Sequence, residues 1–207
     1  MTGAPGIGKT RLAREIARLV HDRAGVVLYG RCDEDLAVPY RPFVESLTHL
    51  VTHVSDAALD GPSAALLARL THPGMEAEPA AGDVGRFLLF GAVESALRAA
   101  TRRKPVLLVL DDLQWADRSS QLLLAHLASA LIPGLLILAT CRNQQHELTD
   151  AIAALTRAAT ATRTALAPFD TAQTASLLSF AHSEPPRVRW RLRCFGFRND
   201  YSVTLAY

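Results

Sequence analysis

The chain has 207 residues, of which 49% are hydrophobic and 20% are charged, and its formal net charge at pH 7 is +2. This length suits one α/β domain with a small appendage, and this composition excludes a largely disordered chain. The net charge is too small to argue for a nucleic-acid partner or an anionic membrane surface.

Charge and cysteine content bound the chain further. Five Arg and one Asp lie between Arg187 and Tyr207, net +4, so the remainder of the chain carries +2 − 4, or about −2. Cys32, Cys141 and Cys194 are odd in number and widely spaced, which is typical of neither a disulfide framework nor a zinc site. The first residues do not have the basic-then-apolar pattern that predicts a signal peptide. We therefore predict reduced thiols and a cytoplasmic location.

One uncharged stretch, Leu122 to Cys141, has about the length that a membrane span requires. His126, Ser129 and the Pro133-Gly134 break divide it into an amphipathic helix and a short apolar strand. This division predicts ordinary α/β core and no membrane partner.

The apolar periodicity alternates between helical and strand patterns along the chain. In chain order it predicts a helix from Lys9 or Thr10, a strand at Val26–Cys32, helices at Phe43–Val54, Ser63–Leu70 and Phe87–Arg103, a strand at Val106–Leu110, a helix at Ser119–Leu131, a strand at Leu135–Thr140, a helix at Thr149–Ala161, a strand at Thr164–Phe169 and a helix at Thr171–Ala181. Apolar strands alternating with helices predict a parallel sheet with helices on both faces.

The segment Gly3 to Thr10 reads GAPGIGKT, which matches the phosphate-loop pattern of Gly, four residues, Gly, Lys and Thr. Gly3, Gly6 and Gly8 are predicted to adopt φ values closed to other residues, so that backbone N–H groups point at a phosphate. The alternative is a flexible glycine-rich terminus, and the amphipathic helix that follows disfavours it.

The last two residues of this segment, Lys9 and Thr10, are predicted to contact the nucleotide and its metal ion with their side chains. Lys9 is predicted to contact the β- and γ-phosphates of a nucleotide, and the hydroxyl of Thr10 to bind Mg²⁺. The positive end of the following helix points at the same place.

Two carboxylates, Asp111 and Asp112, follow the apolar run Val106 to Leu110 directly. The carboxyl edge of a parallel sheet is where such folds bind ligands, so we predict that Asp111 holds magnesium and Asp112 orients or activates water. Taken alone, a strand followed by an Asp-rich turn or N-cap explains the pair about equally well.

A third strand, in the run LLILATCRN, ends at Thr140 and Arg142 on the same predicted edge. Arg142 is a candidate γ-phosphate sensor with a catalytic role, and a solvated charge after a strand is the equal alternative. Asp117 and Ser119 are predicted caps of the next helix. Cys32 and Asp33 follow another strand and are weaker candidates for the same edge.

Four stretches together resemble one family: GAPGIGKTRLA, GRCDEDLAVPYRPFVESL, LLLVLDDLQWADRSSQLLLAHLA and LLILATCRN. They are similar to the AAA-like, STAND-class ATPase module of bacterial LuxR-type transcriptional regulators and of adenylate-cyclase-linked signalling ATPases. The resemblance covers about residues 3 to 180. This family usually has His where the chain has Gln114.

The resemblance implies a P-loop fold with strand order 5-1-4-3-2, ATP and Mg²⁺ as cofactors, and a nucleotide-controlled switch with ATP hydrolysis. It assigns the phosphate loop to Gly3 to Thr10, the acidic pair to Asp111 and Asp112, and the sensor to Arg142. It is compatible with self-association, and it implies DNA binding only through domains absent from this chain.

Two departures from the family pattern predict a fragment. No apolar strand precedes Gly3, so the first strand of the sheet is predicted to be missing from an ATPase domain at residues 1–183. Residues 184–207 hold five of the 13 aromatics, which predicts a separate, frame-shifted tail. The alternatives are a truncated remnant that binds no nucleotide, and direct nucleic-acid binding by this tail.

Overall fold

The computed structural model describes residues 1–34, 38–53, 62–71, 82–142, 161–180, 187–191 and 202–206. Strands β1 to β7 span Thr2–Gly3, Val26–Arg31, Val106–Asp111, Leu135–Ala139, Cys141–Arg142, Arg187–Arg191 and Ser202–Ala206. Helices α1 to α6 span Lys9–Asp22, Arg41–His53, Pro62–Thr71, Gly82–Thr101, Arg118–Ser129 and Thr171–Phe180. A 3₁₀ turn covers Leu113–Trp115.

Three parallel strands, in the order β2-β3-β4, form the largest sheet in the described part of the chain. Val106 of β3 lies opposite Val26 of β2 on one side and opposite Leu135 of β4 on the other. Because parallel neighbours need long crossovers, the chain places helices between these strands. The predicted α/β class with a parallel sheet is confirmed.

The middle strand, β3, is buried at all six positions, and its side chains alternate between two hydrophobic clusters. Leu108 and Leu110 lie in the larger cluster, which draws on α2, α3, α4 and α5. Leu107 and Val109 lie in the smaller cluster, with Ala13 of α1. Successive strand residues point to opposite faces, so a strand covered on both faces must be apolar throughout. This explains the uninterrupted run that precedes Asp111.

A two-residue strand does precede the loop, which corrects the prediction that the first strand is missing. β1 pairs in parallel with β5, Thr2 lying opposite Cys141. On its other side, the N–H of Thr2 donates to the carbonyl of Thr164 and its carbonyl accepts from the N–H of Leu166. The α-amino group of Met1 also donates to the carbonyl of Ala139. The two residues of β1 therefore pair with β5 on one side and with the backbone near Ala165 on the other.

Most predicted elements are confirmed, with shifted ends. The largest shift is in α4, which begins at Gly82 instead of Phe87. The strand predicted at Thr164–Phe169 is wrong in extent, since Ala165 alone forms a bridge there, to Thr2. The helix predicted at Thr149–Ala161 lies almost wholly outside the described residues.

Close packing places α2 against the end of β2. A Cβ added at Gly30 would lie 1.9 Å from the carbonyl oxygen of Pro42, so only glycine fits. This contact brings Glu45 of α2 to the strand end, where its carboxylate accepts the N–H of Arg31 at 3.1 Å.

The aspartate at the start of α5 acts as its N-cap, as predicted for Asp117. Its carboxylate accepts the backbone N–H groups of Ser119 and Ser120 at 2.8 and 3.0 Å, and also the Ser120 hydroxyl. These bonds satisfy two of the donors that a helix start leaves unpaired. Ser119 itself lies within the helix.

We expect Asp117→Ala to lower the free energy of unfolding by about 1 kcal/mol, because the cap bonds are lost, and the melting temperature by roughly 2–4 °C. Thermal denaturation followed by circular dichroism measures this change. Asp22→Ala is the matched control, since Asp22 lies at the unfavourable end of α1 and makes an exposed pair with Arg18. An equal loss in both variants would contradict the capping role.

One remaining prediction concerns the C-terminal segment of the chain. β6 and β7 pair in an antiparallel ribbon within the segment predicted as a separate tail. The division of the chain after residue 183 stays a prediction.

No described helix is long and apolar enough to cross a membrane. The uncharged stretch from Leu122 to Cys141 instead forms most of α5, all of β4 and the first residue of β5.

Candidate functional site

Three glycines at the loop between β1 and α1 are required for two different reasons. Gly6 and Gly8 have φ values of 74° and 101°, and a Cβ on either would meet no atom within 4 Å. Their requirement is conformational, as predicted. Gly3 has no positive φ, so the prediction is wrong for this residue. A Cβ at Gly3 would lie 2.8 Å from Cγ2 of Ile7, and close packing is therefore its constraint.

Lys9 is the first residue of α1 and is 6% exposed. Its Nζ donates to the carbonyl oxygens of Gly3 and Ala4, both at 2.9 Å. The side chain therefore folds back under the loop, and the ammonium lies where the strand ends and the loop begins. Both acceptors are backbone carbonyls, so neither bond pairs Lys9 with a carboxylate.

Asp111 ends β3 and is fully buried. Its Oδ1 accepts the hydroxyl of Thr140 at 2.5 Å and that of Thr10 at 3.3 Å, and its Oδ2 accepts the phenol of Tyr29 at 2.6 Å. Burial alone would raise the pKa of Asp111, but these hydroxyl donors, together with the charge of Arg31, hold its pKa below the usual value. The carboxylate is therefore ionised at neutral pH.

Asp112 has a left-handed backbone, with φ 57° and ψ 44°, which aspartate tolerates better than most residues. Its N–H donates to the hydroxyl oxygen of Thr140 at 3.0 Å. Its carboxylate accepts from the guanidinium of Arg31 at 3.2 Å and from the amide of Gln114 at 3.1 Å. The two adjacent carboxylates therefore have different side-chain partners.

Arg142 ends β5 and lies beside the same turn. Its N–H donates to Oε1 of Gln114 at 3.2 Å, and its guanidinium carbon lies 5.6 Å from the centroid of the Trp115 ring. This distance is within the range of a cation–π contact. Gln114 thus joins the turn after β3 to the end of β5 through both ends of its amide.

The structure brings most of the predicted site residues to one cleft of about 240 Å³. Gly6, Gly8, Lys9, Thr10, Asp112 and Arg142 line it, with Pro5 and Arg11. Gly3 and Asp111 do not line the cleft, but they bond Lys9 and Thr10 respectively. All eight predicted positions therefore belong to one contiguous arrangement.

Four neighbours of the acidic pair were not predicted as site residues: Tyr29, Arg31, Gln114 and Thr140. Tyr29 and Arg31 lie on β2, about 80 residues before the carboxylates that they contact, so no local motif includes them. The sequence indicates Thr140 only as the end of a strand, whereas in the structure its hydroxyl bonds both Asp111 and the backbone of Asp112.

The weaker candidates after β2 lie at the border of the site. The N–H of Cys32 donates to the carbonyl of Asp111 at 3.0 Å, and burial raises the pKa of its thiol to about 12, which favours the protonated thiol at neutral pH. Asp33 pairs with Arg41 at 3.1 Å. Packing and a surface ion pair account for the two residues.

The residues present fit a magnesium nucleotide. A hydroxyl and an ionised carboxylate, Thr10 and Asp111, face each other at 3.3 Å, and hard oxygen atoms are the ligands that Mg²⁺ takes. The open space beside Gly6 and Gly8, above the start of α1, suits a phosphate on backbone N–H groups. Lys9 adds the positive charge.

A parallel sheet, a glycine loop at a helix start and an acidic strand end define a P-loop nucleotide-binding domain. The model of the AAA ATPase domain family matches residues 1–138, two thirds of the chain, and the chain belongs to this family. The chain is also 30% identical to an uncharacterized protein of Rhizobium meliloti (strain 1021). That match covers 83% of this chain, which spans 18% of the relative's length. Family membership supports nucleotide binding.

Proposed function

We propose that this chain binds ATP with magnesium at Gly3 to Thr10 and hydrolyses it slowly, as a nucleotide-dependent switch. The observation that supports this most is the Thr10 hydroxyl at 3.3 Å from the ionised Asp111, with the Lys9 ammonium in the adjoining loop. These residues are far apart in sequence and belong to different elements, so a glycine-rich loop without function would not need to bring them together.

In the bound state, Lys9 exchanges its bonds to the Gly3 and Ala4 carbonyls for bonds to the β- and γ-phosphate oxygens. The N–H groups around Gly6 and Gly8 hold the phosphates at the helix start. Thr10 and Asp111 are the residues that would hold magnesium. The metal ion supplies neutralisation of phosphate charge when it is bound.

For hydrolysis, Asp112 orients the attacking water and accepts its proton, while Arg142, which also lines the cleft, contacts the γ-phosphate. Arg31 and Gln114 hold the Asp112 carboxylate at both oxygen atoms. A carboxylate oxygen can accept a second hydrogen bond, so water can bind without displacing these donors, but they share the oxygen atoms that would receive its proton. We infer from this that turnover is slow relative to binding.

We further propose the strand order 5-1-4-3-2 and a place in a LuxR-type transcriptional regulator or a related signalling ATPase. β4 and β5 are separated by Thr140 alone, and treating them as one strand joins the observed pairs into a single series, from Ala165 through β1 to β2. The run DDLQWAD and the stretch from Gly30 to Leu47 support the regulator context through the resemblance. Self-association and a cytoplasmic location belong to the same proposal.

Thermal denaturation with and without Mg-ATP tests the proposed binding. A ligand at 100 times its dissociation constant stabilises the folded state by about 2.7 kcal/mol, so we expect the melting temperature to rise by roughly 5–10 °C. GTP and AMP at the same concentration are the matched controls for base and phosphate recognition. No shift at millimolar Mg-ATP would contradict the proposal and would favour the alternative, a non-enzymatic remnant.

A further inference from the structure

Tyr29 presents a phenol to the end of the neighbouring strand, outside every motif in the sequence. It lies on β2 opposite Val109, and its ring packs against the smaller cluster of Ala13, Leu107 and Val109. Its hydroxyl donates to Oδ2 of Asp111 at 2.6 Å. A short bond between an O–H donor and an ionised carboxylate is among the stronger hydrogen bonds in proteins.

The two oxygen atoms of Asp111 have separate partners. Oδ1 accepts from Thr10, the residue proposed to bind magnesium, and from Thr140. Oδ2 accepts from Tyr29, a residue that does not line the cleft. The terminal torsion of a carboxylate is broad, so a donor on Oδ2 restrains where Oδ1 points. In a fully buried carboxylate, losing that donor also leaves Oδ2 without a hydrogen-bond donor from the described residues.

We propose that Tyr29 is a positioning residue of the magnesium site: its phenol holds Oδ2 of Asp111, so that Oδ1 faces Thr10 and the metal. This inference rests on the proposed function, because it assigns a role only if magnesium binds between these two residues. Partners that orient a metal-binding carboxylate commonly change metal affinity as strongly as the ligands themselves do. Replacing a residue that is needed only for packing would change the stability of the fold and leave the magnesium dependence of ATP binding unchanged.

Tyr29→Phe removes one oxygen atom and keeps the ring in the smaller cluster. The measurement is ATP binding by calorimetry, first in EDTA and then across a magnesium titration. We expect the magnesium concentration at half-maximal enhancement of ATP binding to rise about tenfold. The ATP affinity in EDTA stays within about twofold of wild type, because Lys9 and the loop are unchanged.

Tyr40→Phe is the matched control, since Tyr40 is a buried tyrosine of the other cluster, where its ring meets Phe90 edge-on. It should leave the magnesium midpoint unchanged. Tyr29→Met, with a flexible apolar side chain, is titrated as well, so that the result does not depend on the folding of one variant. The same rise is expected.

The outcomes separate this inference from the proposed function. Wild-type protein that binds no ATP at any magnesium concentration overturns both. Magnesium-enhanced binding in wild type with an unchanged midpoint in Tyr29→Phe and Tyr29→Met overturns the role of Tyr29 and leaves the proposed function standing. A raised midpoint in Tyr40→Phe as well would show a general packing effect and would overturn the positioning role.

Discussion

Lys9→Ala is expected to weaken ATP binding at least about 100-fold. Hydrogen bonds to charged groups contribute about 1.5–3 kcal/mol each, and about 1.4 kcal/mol corresponds to a tenfold change in affinity. Lys9 is proposed to make two such bonds, to the β- and γ-phosphates. Its ammonium already lies beside the loop, where it would exchange its bonds to the carbonyls of Gly3 and Ala4 for these phosphate bonds.

Isothermal titration calorimetry with Mg-ATP measures this loss. Lys104→Ala is a matched control, because Lys104 is the chain's other lysine and lies exposed just before β3, at the edge of the sheet opposite the carboxylates. Lys9→Met, which keeps the length of the side chain, tests the charge without opening space under the loop. An unchanged ATP affinity in both Lys9 variants would contradict the proposed site.

Asp112→Asn is expected to slow ATP hydrolysis by about 10²–10⁴-fold while ATP affinity changes little. A positioned general base contributes an acceleration of this order, and the amide is too weak a base to replace the carboxylate. The substitution is nearly isosteric, and its amide oxygen still accepts from Gln114. Steady-state phosphate release measures turnover, and calorimetry on the same samples measures binding.

Asp33→Asn is the control for this substitution. Asp33 is also an aspartate near the end of a strand of this sheet, but its carboxylate pairs with Arg41 on the surface. Its replacement should leave turnover within about twofold, as expected for a surface ion pair. Equal turnover in wild type and Asp112→Asn would contradict the proposed role, and a matching fall in both variants would point to a general loss of folded protein.

The two adjacent carboxylates illustrate why neighbouring residues differ in chemistry. Asp111 is the last residue of a strand buried on both faces, and three hydroxyl donors keep it ionised in that position. Asp112 takes the left-handed turn immediately after it and reaches the cleft instead. A single backbone turn thus separates a group suited to bind a metal ion from a group suited to act on water.

Local chemistry was sufficient to predict the loop and the acidic strand end. The spacing of Gly6, Gly8 and Lys9 reflects a tight turn into a helix, and such a turn depends on a few consecutive residues. The run from Val106 to Leu110 predicts a strand covered on both faces, because an exposed face would contain polar residues. These predictions need no knowledge of which strands are neighbours.

The partners of the carboxylates depended on tertiary structure. Tyr29 and Arg31 meet Asp111 and Asp112 only because β2 pairs with β3 in one register, in which Arg31 lies opposite Asp111. A shift of one residue would turn the phenol of Tyr29 to the other face of the sheet. The sequence alone also predicted an absent first strand, whereas pairing on both sides makes a strand of Thr2 and Gly3.

The sequence by itself therefore determined the α/β class, the glycine loop and the acidic pair. Each of them depends on the backbone conformation and burial of residues that are consecutive in the chain. Only the tertiary structure decided that Gly3 is required for packing, that Thr10 faces Asp111, and that Tyr29 and Thr140 hold that carboxylate from either side. The physical reason is that hydrogen bonds between strands depend on pairing and register, which no short stretch of the chain specifies.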